Sequence, residues 1–306
     1  MTAPVSAGSP TGSIYDLGYR GYEGPRLGRG YAVRSLFSHS LRSTYGLGRG
    51  TRAKIAPFAL AVLACGPSLG ILVVLVFAAR FGEQVSDVLG ANLPGYDGMW
   101  SSTSAFVTLF CGAQAPELFG RDQRHGTLSL YFARALRRTD YTLARIFGFV
   151  TALVILQLLP QLILFVGRVL LSPDIVGAFG RDLPSFPAIL GQAVLVGLLY
   201  GGVSMTIAAY TPRRAYAVAG IVAVFVIPGI VAAVITGLGS SAIGDWLVLI
   251  SPSSVLDGTN AVLFGVPLNP DFPFAQRPDI AYFAAAGIGI VGSLVICLRR
   301  FLTISV

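Results

Sequence analysis

Residues Phe147–Leu171, with the sequence FGFVTALVILQLLPQLILFVGRVLL, decide the fold of this 306-residue chain. They form an unbroken apolar run in which Arg168 is the only charged side chain. A helix that crosses the hydrocarbon core of a bilayer needs about 20 mostly apolar residues, and this run is long enough. Because Arg168 lies near one end, its guanidinium can reach the membrane boundary. The run therefore predicts a transmembrane α-helix.

Five further segments have a similar length and composition. Hydrophobic residues make up 54% of the chain and charged residues 12%, and the mean hydropathy is +0.72, outside the range of soluble globular proteins. Long apolar segments favour helices over the short alternating strands of a β-barrel. We predict an all-α, polytopic membrane protein with six transmembrane helices, at about 55–79, 99–119, 147–171, 188–211, 215–238 and 280–298.

The distribution of charge predicts the orientation of these spans. Arginine and lysine concentrate in residues 1–54, in residues 120–146 and at Arg299–Arg300, whereas the segments between the other span ends are mainly acidic. Basic residues are enriched in cytoplasmic segments, so both termini are predicted to be cytoplasmic. The net charge of +8 follows from this topology and requires no nucleic acid. Anionic membrane lipids are expected partners of some of these side chains.

The segments outside the spans differ in character. Residues 1–30 are rich in Gly, Pro, Ser and Tyr, which predicts a flexible cytoplasmic arm. Residues 31–54 alternate apolar and basic faces at helical spacing and predict an amphipathic helix in the membrane interface; a soluble helix that binds a partner is the alternative. Residues 239–279 contain apolar pieces too short to cross and predict an outer re-entrant segment of two short helices. Residues 55–300 form one transmembrane domain.

The chain carries no recognisable catalytic constellation, and we predict that it is not an enzyme. Its only histidines are His39 and His125, too few for a histidine-rich metal centre, and no P-loop motif for ATP is present. Cys65, Cys111 and Cys297 lie within apolar runs and lack metal-ligand spacing. The sequence therefore predicts no catalytic residue, no metal site and no cofactor in this chain.

Polar residues within the predicted spans allow two interpretations. Gln157, Gln161 and Arg168 share one face of the third span, and polar groups in a membrane normally face protein or a water-filled cavity. Gln114 and Glu117 lie at the inner end of the second span, where Glu117 is expected to pair with a nearby arginine such as the one four residues on. These residues serve either as bonds between helices or as a substrate path and gate.

Between the second and third spans lies RHGTLSLYFARALRRTDYTLARIFG (Arg124–Gly148), which combines arginines with an apolar turn. Thr127 is predicted to cap a short helix, and a second helix is expected to begin near Thr139, with Asp140 in its first turn, and to run into the third span. Apolar side chains rimmed by arginine are typical of a protein–protein contact; a patch on the membrane surface is the alternative.

The stretch Asp122–Arg145, with its pattern D-x-R-x-G-T-L-x-L followed by R-R-T-x-Y-x-L-A-R, resembles the cytoplasmic loop between the second and third spans of ABC-2 type transporter permeases. The six-span topology, the interfacial helix and the segment ISPSSVLDG (Ile250–Gly258) are similar to that family as well. Residues Tyr15–Tyr31 resemble the N-terminal arm of actinobacterial members. Ala135 departs from the pattern, since many members have proline there.

The resemblance implies a multi-pass protein of the bacterial plasma membrane that serves as the permease subunit of an ATP-driven exporter. Such permeases pair with a second copy or with a paralogous permease, and bind two separate ATPase subunits that hold ATP and Mg²⁺. The loop would supply the coupling helix, with its arginines meeting acidic groups on the ATPase. The residues implied are Gly126, Thr127, Leu128, Leu130, Tyr131, Phe132, Arg134, Arg137 and Arg138. A membrane scaffold or sensor subunit that docks a cytoplasmic partner without transport is the alternative function.

Overall fold

The computed structural model describes residues 24, 27–81, 93–133, 136–238, 246–266 and 279–304. All regular secondary structure in these ranges is helical, so the prediction of an all-α fold is confirmed. Most of the predicted N-terminal arm, residues 1–30, lies outside the described residues. The helices are α1 Gly28–Thr44, α2 Thr51–Ala78, α3 Met99–Arg124, α4 Leu128–Phe132, α5 Arg138–Leu171, α6 Ile175–Asp182, α7 Phe186–Tyr210, α8 Arg214–Gly237, α9 Pro252–Phe264 and α10 Asp279–Thr303.

Five helical stretches are long and apolar enough to cross a membrane, and the chain is accordingly a multi-pass membrane protein. They coincide with five of the six predicted spans. One of them joins α6 to α7 through a short 3₁₀ turn. The five stretches are Thr51–Ala78, Arg138–Leu171, Ile175–Tyr210, Arg214–Ile235 and Asp279–Thr303.

The remaining predicted span, residues 99–119, lies in α3. This helix has 26 residues, and at about 1.5 Å per residue its length suffices to cross a bilayer. It is more polar than the other five because protein rather than lipid surrounds it: α3 packs against α2, α5, α7 and α8. Its hydroxyls are satisfied by its own backbone, since Thr103 Oγ1 donates to Met99 O at 2.7 Å and Thr108 Oγ1 to Ser104 O at 2.8 Å.

The centre of the bundle is the contact between α5 and α7, the two apolar stretches with the largest buried share. Glycines on α7 allow the two backbones to approach closely, as is common between membrane helices. A Cβ at Gly197 would lie 3.1 Å from the carbonyl oxygen of Val150, and one at Gly201 would lie 2.9 Å from a methyl carbon of Val150. Around this contact, Tyr200 of α7 stacks on Phe225 of α8 at 3.9 Å.

The amphipathic helix predicted over residues 31–54 occupies a shorter range in the structure. α1 ends at Thr44, and residues from Thr51 onward belong to α2. The break follows from two glycines, Gly46 and Gly48, whose φ angles of 69° and 85° lie in the left-handed region that favours glycine. α1 then lies against α5, where a Cβ on Gly148 would come within 2.6 Å of Ser40 Cβ.

The predicted re-entrant segment, residues 239–279, is described only in part, over 246–266. It contains a 3₁₀ turn at Val248–Ile250 and the 13-residue helix α9, which is too short to cross a bilayer. Ser251 caps α9 by accepting a hydrogen bond from Ser254 N, and Gly265 ends it with a φ of 64°. α9 packs against α7, α8 and α10, so its backbone is covered by the bundle.

Candidate functional site

The basic segments of the sequence meet at one end of the bundle, which we call the basic end: the α1–α2 turn, the end of α3, the start of α5, residues 211–213 and the end of α10. Glu117 of α3 joins the α1–α2 turn to the start of α8, since its carboxylate lies 3.3 Å from Arg49 and 3.0 Å from Arg214. The expected pairing of Glu117 with an arginine is therefore present, but Arg121 is not the partner. Gln123 Nε2 donates to Ala209 O at 3.0 Å.

From the basic end extends the projecting turn, residues 125–133, with α4 at its centre. Gly126 reverses the chain after α3, with a φ of 63° and its N–H bonded to Gln123 O at 3.3 Å. The prediction that Thr127 caps the next helix is wrong. Thr127 has helical angles, and its hydroxyl donates backward to Asp122 O at 3.3 Å and accepts no hydrogen bond from a backbone N–H of α4.

Three of the four apolar side chains of the projecting turn attach it to the bundle. Leu128 is only 6% exposed. The rings of Tyr131 and Phe132 lie 5.2 and 5.8 Å from the ring of Tyr141, at the start of α5. Leu130, by contrast, is 67% exposed. The turn therefore presents one leucine outward, on two half-buried rings that pack against the buried ring of Tyr141.

A buried ion pair lies beneath this base. The guanidinium of Arg145 on α5 contacts the carboxylate of Asp122 on α3 and donates from Nη2 to the Tyr131 hydroxyl at 3.2 Å. Tyr141 Oη donates to the same carboxylate at 2.6 Å. Arg145 is 2% exposed, and its Nε has no hydrogen-bond partner. The sequence offered one local signal for this cluster, because Tyr141 and Arg145 are four residues apart on one helical face.

The arginines expected to face a partner differ in their surroundings. Arg134 lies outside the described residues. Arg138 binds within the chain: its Nη1 donates to Leu302 O and Ile304 O at 2.8 and 2.9 Å, so it anchors the end of α10. Arg137 is exposed, and its backbone N–H donates to Asp140 at 3.1 Å. Asp140 lies in the first turn of α5, as predicted, and also accepts a two-pronged contact from Arg29, both bonds 2.7 Å long.

The polar residues of the third span contact other helices. The side-chain oxygen of Gln157 lies 3.1 Å from the hydroxyl of Thr103 on α3, and both side chains are fully buried. Gln161 donates to Gln192 of α7, which in turn donates to Asn260 of α9. This amide chain continues to the backbone oxygen of residue 97. These hydrogen bonds agree with the interpretation that the polar residues join helices. A role of the same residues in a substrate path stays a prediction.

Arg168 and Gln114 lie at opposite ends of the bundle. Arg168 donates to Pro94 O at 3.3 Å and lies 5.1 Å from the ring centre of Tyr96. Tyr96 Oη donates to Asp182 at 2.7 Å, so two of the acidic segments of the sequence meet at this end. Gln114 is 6% exposed within α3 and lies one turn from Glu117.

Among the described residues, no group of three or more His, Cys, Asp or Glu side chains is placed to hold a metal ion. All three cysteines are free and buried. The site therefore provides a structural connection: the exposed Leu130 is joined to α3 and α5 by aromatic rings and by the buried Asp122–Arg145 ion pair. No protein-family model matches the chain, and no curated protein matches it.

Proposed function

We propose that this chain is the membrane-spanning permease subunit of an ATP-driven exporter in the bacterial plasma membrane. The observation that carries the proposal is the projecting turn, in which Leu130 is 67% exposed while Leu128, Tyr131 and Phe132 pack against the bundle. One exposed apolar side chain on a firmly seated turn suits a contact with another protein. In this proposal the partner is a separate ATPase subunit, and ATP and Mg²⁺ are bound there.

The arrangement of charge supports the orientation that this function requires. α3 completes a set of six spans, and both termini and the basic end lie in the cytoplasm, because basic residues mark cytoplasmic segments. The projecting turn then faces the compartment that holds ATP. The opposite end, with Tyr96 and Asp182 in contact, faces outward.

The contacts beneath the turn give it a way to move the spans. Displacement of Leu130 shifts Tyr131 and Phe132, whose rings touch Tyr141 on α5. Tyr141 in turn lies 5.6 Å from Phe301 on α10. An ATPase that binds the turn differently in its two nucleotide states would thereby shift the equilibrium between two arrangements of these helices.

The assembly in this proposal contains two ATPase subunits and two permeases, the second being another copy of this chain or a paralogue. The substrate path forms between the permeases. Gln114 and Glu117, at the basic end of α3, are candidates for its inner gate. Gln157, Gln161 and Arg168, on α5, are candidates for its lining, although their contacts equally serve helix packing.

The test is to purify the tagged chain from membranes of its own cells and measure what remains bound. We expect co-purification of a subunit with a P-loop motif, together with ATP hydrolysis. Leu130→Asp should reduce both at least tenfold without lowering the yield of folded chain, because Leu130 contributes little to the core. Leu130→Met should retain both, and Ser129→Asp, on an exposed neighbour, controls for the added charge.

Two results would count against the proposal. If Leu130→Asp leaves the bound ATPase and its turnover unchanged, the turn is not the coupling contact. If the ATPase binds normally but membrane vesicles show no ATP-dependent uptake of any candidate substrate, the chain is a scaffold or sensor subunit.

A further inference from the structure

A large cavity opens at the basic end, between α1, the α1–α2 turn and the junction of α3 with the projecting turn. Its volume is about 860 Å³, within the range of sites that bind small molecules. Six basic side chains line it, including both histidines of the chain. They are His39, Arg42, Arg49, Arg121, His125 and Arg145.

The two carboxylates in the cavity wall are already engaged. Glu117 pairs with Arg49 and Arg214, and Asp122 pairs with Arg145. Arg42 and Arg121 are exposed and form no ion pair or side-chain hydrogen bond within the described part of the chain. Two guanidinium groups therefore line the same cavity without a counter-charge.

The charges in this cavity also act on each other. Burial lowers the pKa of Arg49, and the positive charge of Arg121 lowers it further. Burial of part of its ring lowers the pKa of His39, and the nearby Arg145 adds to the effect. Repulsion of this kind is relieved when an anion enters the cavity.

Arg145 forms part of the cavity wall. Its side chain lines the cavity and is almost fully buried, yet its Nε has no hydrogen-bond partner. Buried N–H groups are nearly always paired in folded proteins, so Arg145 adds a positive charge and an unsatisfied donor beside the cavity.

We propose that this cavity binds a phosphate group, held by Arg42 and Arg121 with Arg145 behind them. Phosphate suits the site because the planar guanidinium fork matches its oxygen geometry, and two such forks are unoccupied. The phosphate belongs either to the headgroup of an anionic lipid or to a soluble compound. This inference does not depend on the exporter function.

A bound phosphate would link α1 to the end of α3, near the projecting turn. Arg42 belongs to α1 and Arg121 to the end of α3, and Tyr131 of the projecting turn also lines the cavity. Occupancy therefore fixes α1 against the base of the projecting turn.

The site is tested on the purified chain alone, in lipid nanodiscs, by its thermal unfolding midpoint. One arm compares discs of pure phosphatidylcholine with discs that contain phosphatidylglycerol. The other adds inorganic pyrophosphate to phosphatidylcholine discs, against sodium chloride of equal ionic strength. The double variant Arg42→Gln/Arg121→Gln removes two exposed side chains, so it should fold, and Arg34→Gln, an exposed arginine of α1 outside the cavity, is the control.

We expect at least one probe to raise the midpoint of the wild type and of Arg34→Gln by several degrees, and to leave the double variant unchanged. A response to phosphatidylglycerol assigns the phosphate to a lipid, and a response to pyrophosphate alone assigns it to a soluble compound. Native mass spectrometry of the delipidated chain should show one retained phosphatidylglycerol or pyrophosphate that the double variant lacks. The proposal is overturned if neither probe acts on the wild type, or if the double variant responds equally.

Discussion

Asp122 and Arg145 form a buried ion pair that links the last turn of α3 to the first turns of α5, on either side of the projecting turn. The side chain of Arg145 is 3% exposed and that of Asp122 13%, so water screens the pair only weakly. The tyrosine hydroxyls of residues 131 and 141 complete the cluster. The projecting turn thus covers the Asp122–Arg145 ion pair, and this pair in turn holds the two ends of the projecting turn together.

Replacement of Asp122 by asparagine should strongly destabilise the protein. The change leaves the guanidinium of Arg145 buried without its counter-charge, and loss of one partner of a buried pair costs about 3–5 kcal/mol. The measurement is the free energy of unfolding in mixed micelles. Arg124→Gln, at an exposed position in the same turn of α3, is the control and should change stability little.

A double replacement separates the charge from the packing. Asp122→Leu combined with Arg145→Met should cost less than the two single changes added together, because no unpaired charge remains. Additive costs would show that the two residues act independently, contrary to the structure.

Replacement of Gly148 by alanine should push α1 away from α5. The new Cβ would lie 2.6 Å from Ser40 Cβ and 3.1 Å from the backbone oxygen of Phe37, so α1 must move. Overpacking of this kind costs about 1–3 kcal/mol. Faster amide hydrogen exchange in residues 28–44 would reveal the displacement.

Gly70→Ala provides the matched control for that experiment. Gly70 also lies in a long helix, but nothing lies within 4 Å of a Cβ added there. We expect its exchange and stability to equal or exceed those of the wild type, since alanine favours the helix. Similar losses in both variants would indicate a general intolerance of side chains at helical glycines.

Replacement of Gln192 by leucine should break the amide chain between α5, α7 and α9. Gln161 Nε2 keeps only Tyr96 O as an acceptor and Asn260 Oδ1 loses its donor, and a buried group left without a partner costs about 1–3 kcal/mol. Unfolding should therefore occur at a lower denaturant concentration. Leu190→Ala, on the exposed side of the same helix, is the control. A stability equal to that of the wild type would place the amides in a hydrated path instead.

Stability at the basic end should decrease as the pH falls. Burial and the charge of Arg145 lower the pKa of His39 in the folded protein, so the unfolded chain takes up this proton first. The contribution of His39 is complete above its unfolded pKa of about 6.5 and is lost as the pH falls below that value. Thermal unfolding between pH 7.5 and about 5 should show this loss.

The variant His39→Gln should flatten that pH dependence, whereas His125→Gln, which replaces the other histidine, should leave it in place. The comparison is made without phosphate or anionic lipid, because an anion in the cavity would raise the pKa of His39. An unchanged pH profile in His39→Gln would contradict the assignment.

The sequence predicted the helices well where burial in lipid determines composition. The apolar runs of α2, α5, α7, α8 and α10 appear at the expected places. The end of α1 was missed because the break at Gly46 and Gly48 depends on backbone angles that the apolar and basic pattern does not encode. α3 was predicted as a span like the others, and its more polar composition fits its packing against α2, α5, α7 and α8.

The contacts of the candidate site were mostly beyond sequence reasoning. Asp122 and Arg145 are 23 residues apart, and nothing in their spacing indicates that α3 and α5 bring them together. Thr127 occupies a position typical of a helix cap, yet the reversal at Gly126 places its hydroxyl beside the preceding helix. Leu128 and Leu130 look alike in the sequence, and only tertiary packing buries one and exposes the other.

The ring of Phe301 has a consequence for the synthesis of the protein. It lies 4.6 Å from Phe119 and 5.6 Å from Tyr141, and it thereby closes the aromatic base on which the projecting turn rests. The ribosome makes residues 119 and 141 long before residue 301. During translation the aromatic base beneath the projecting turn therefore stays incomplete until α10 has been made and inserted.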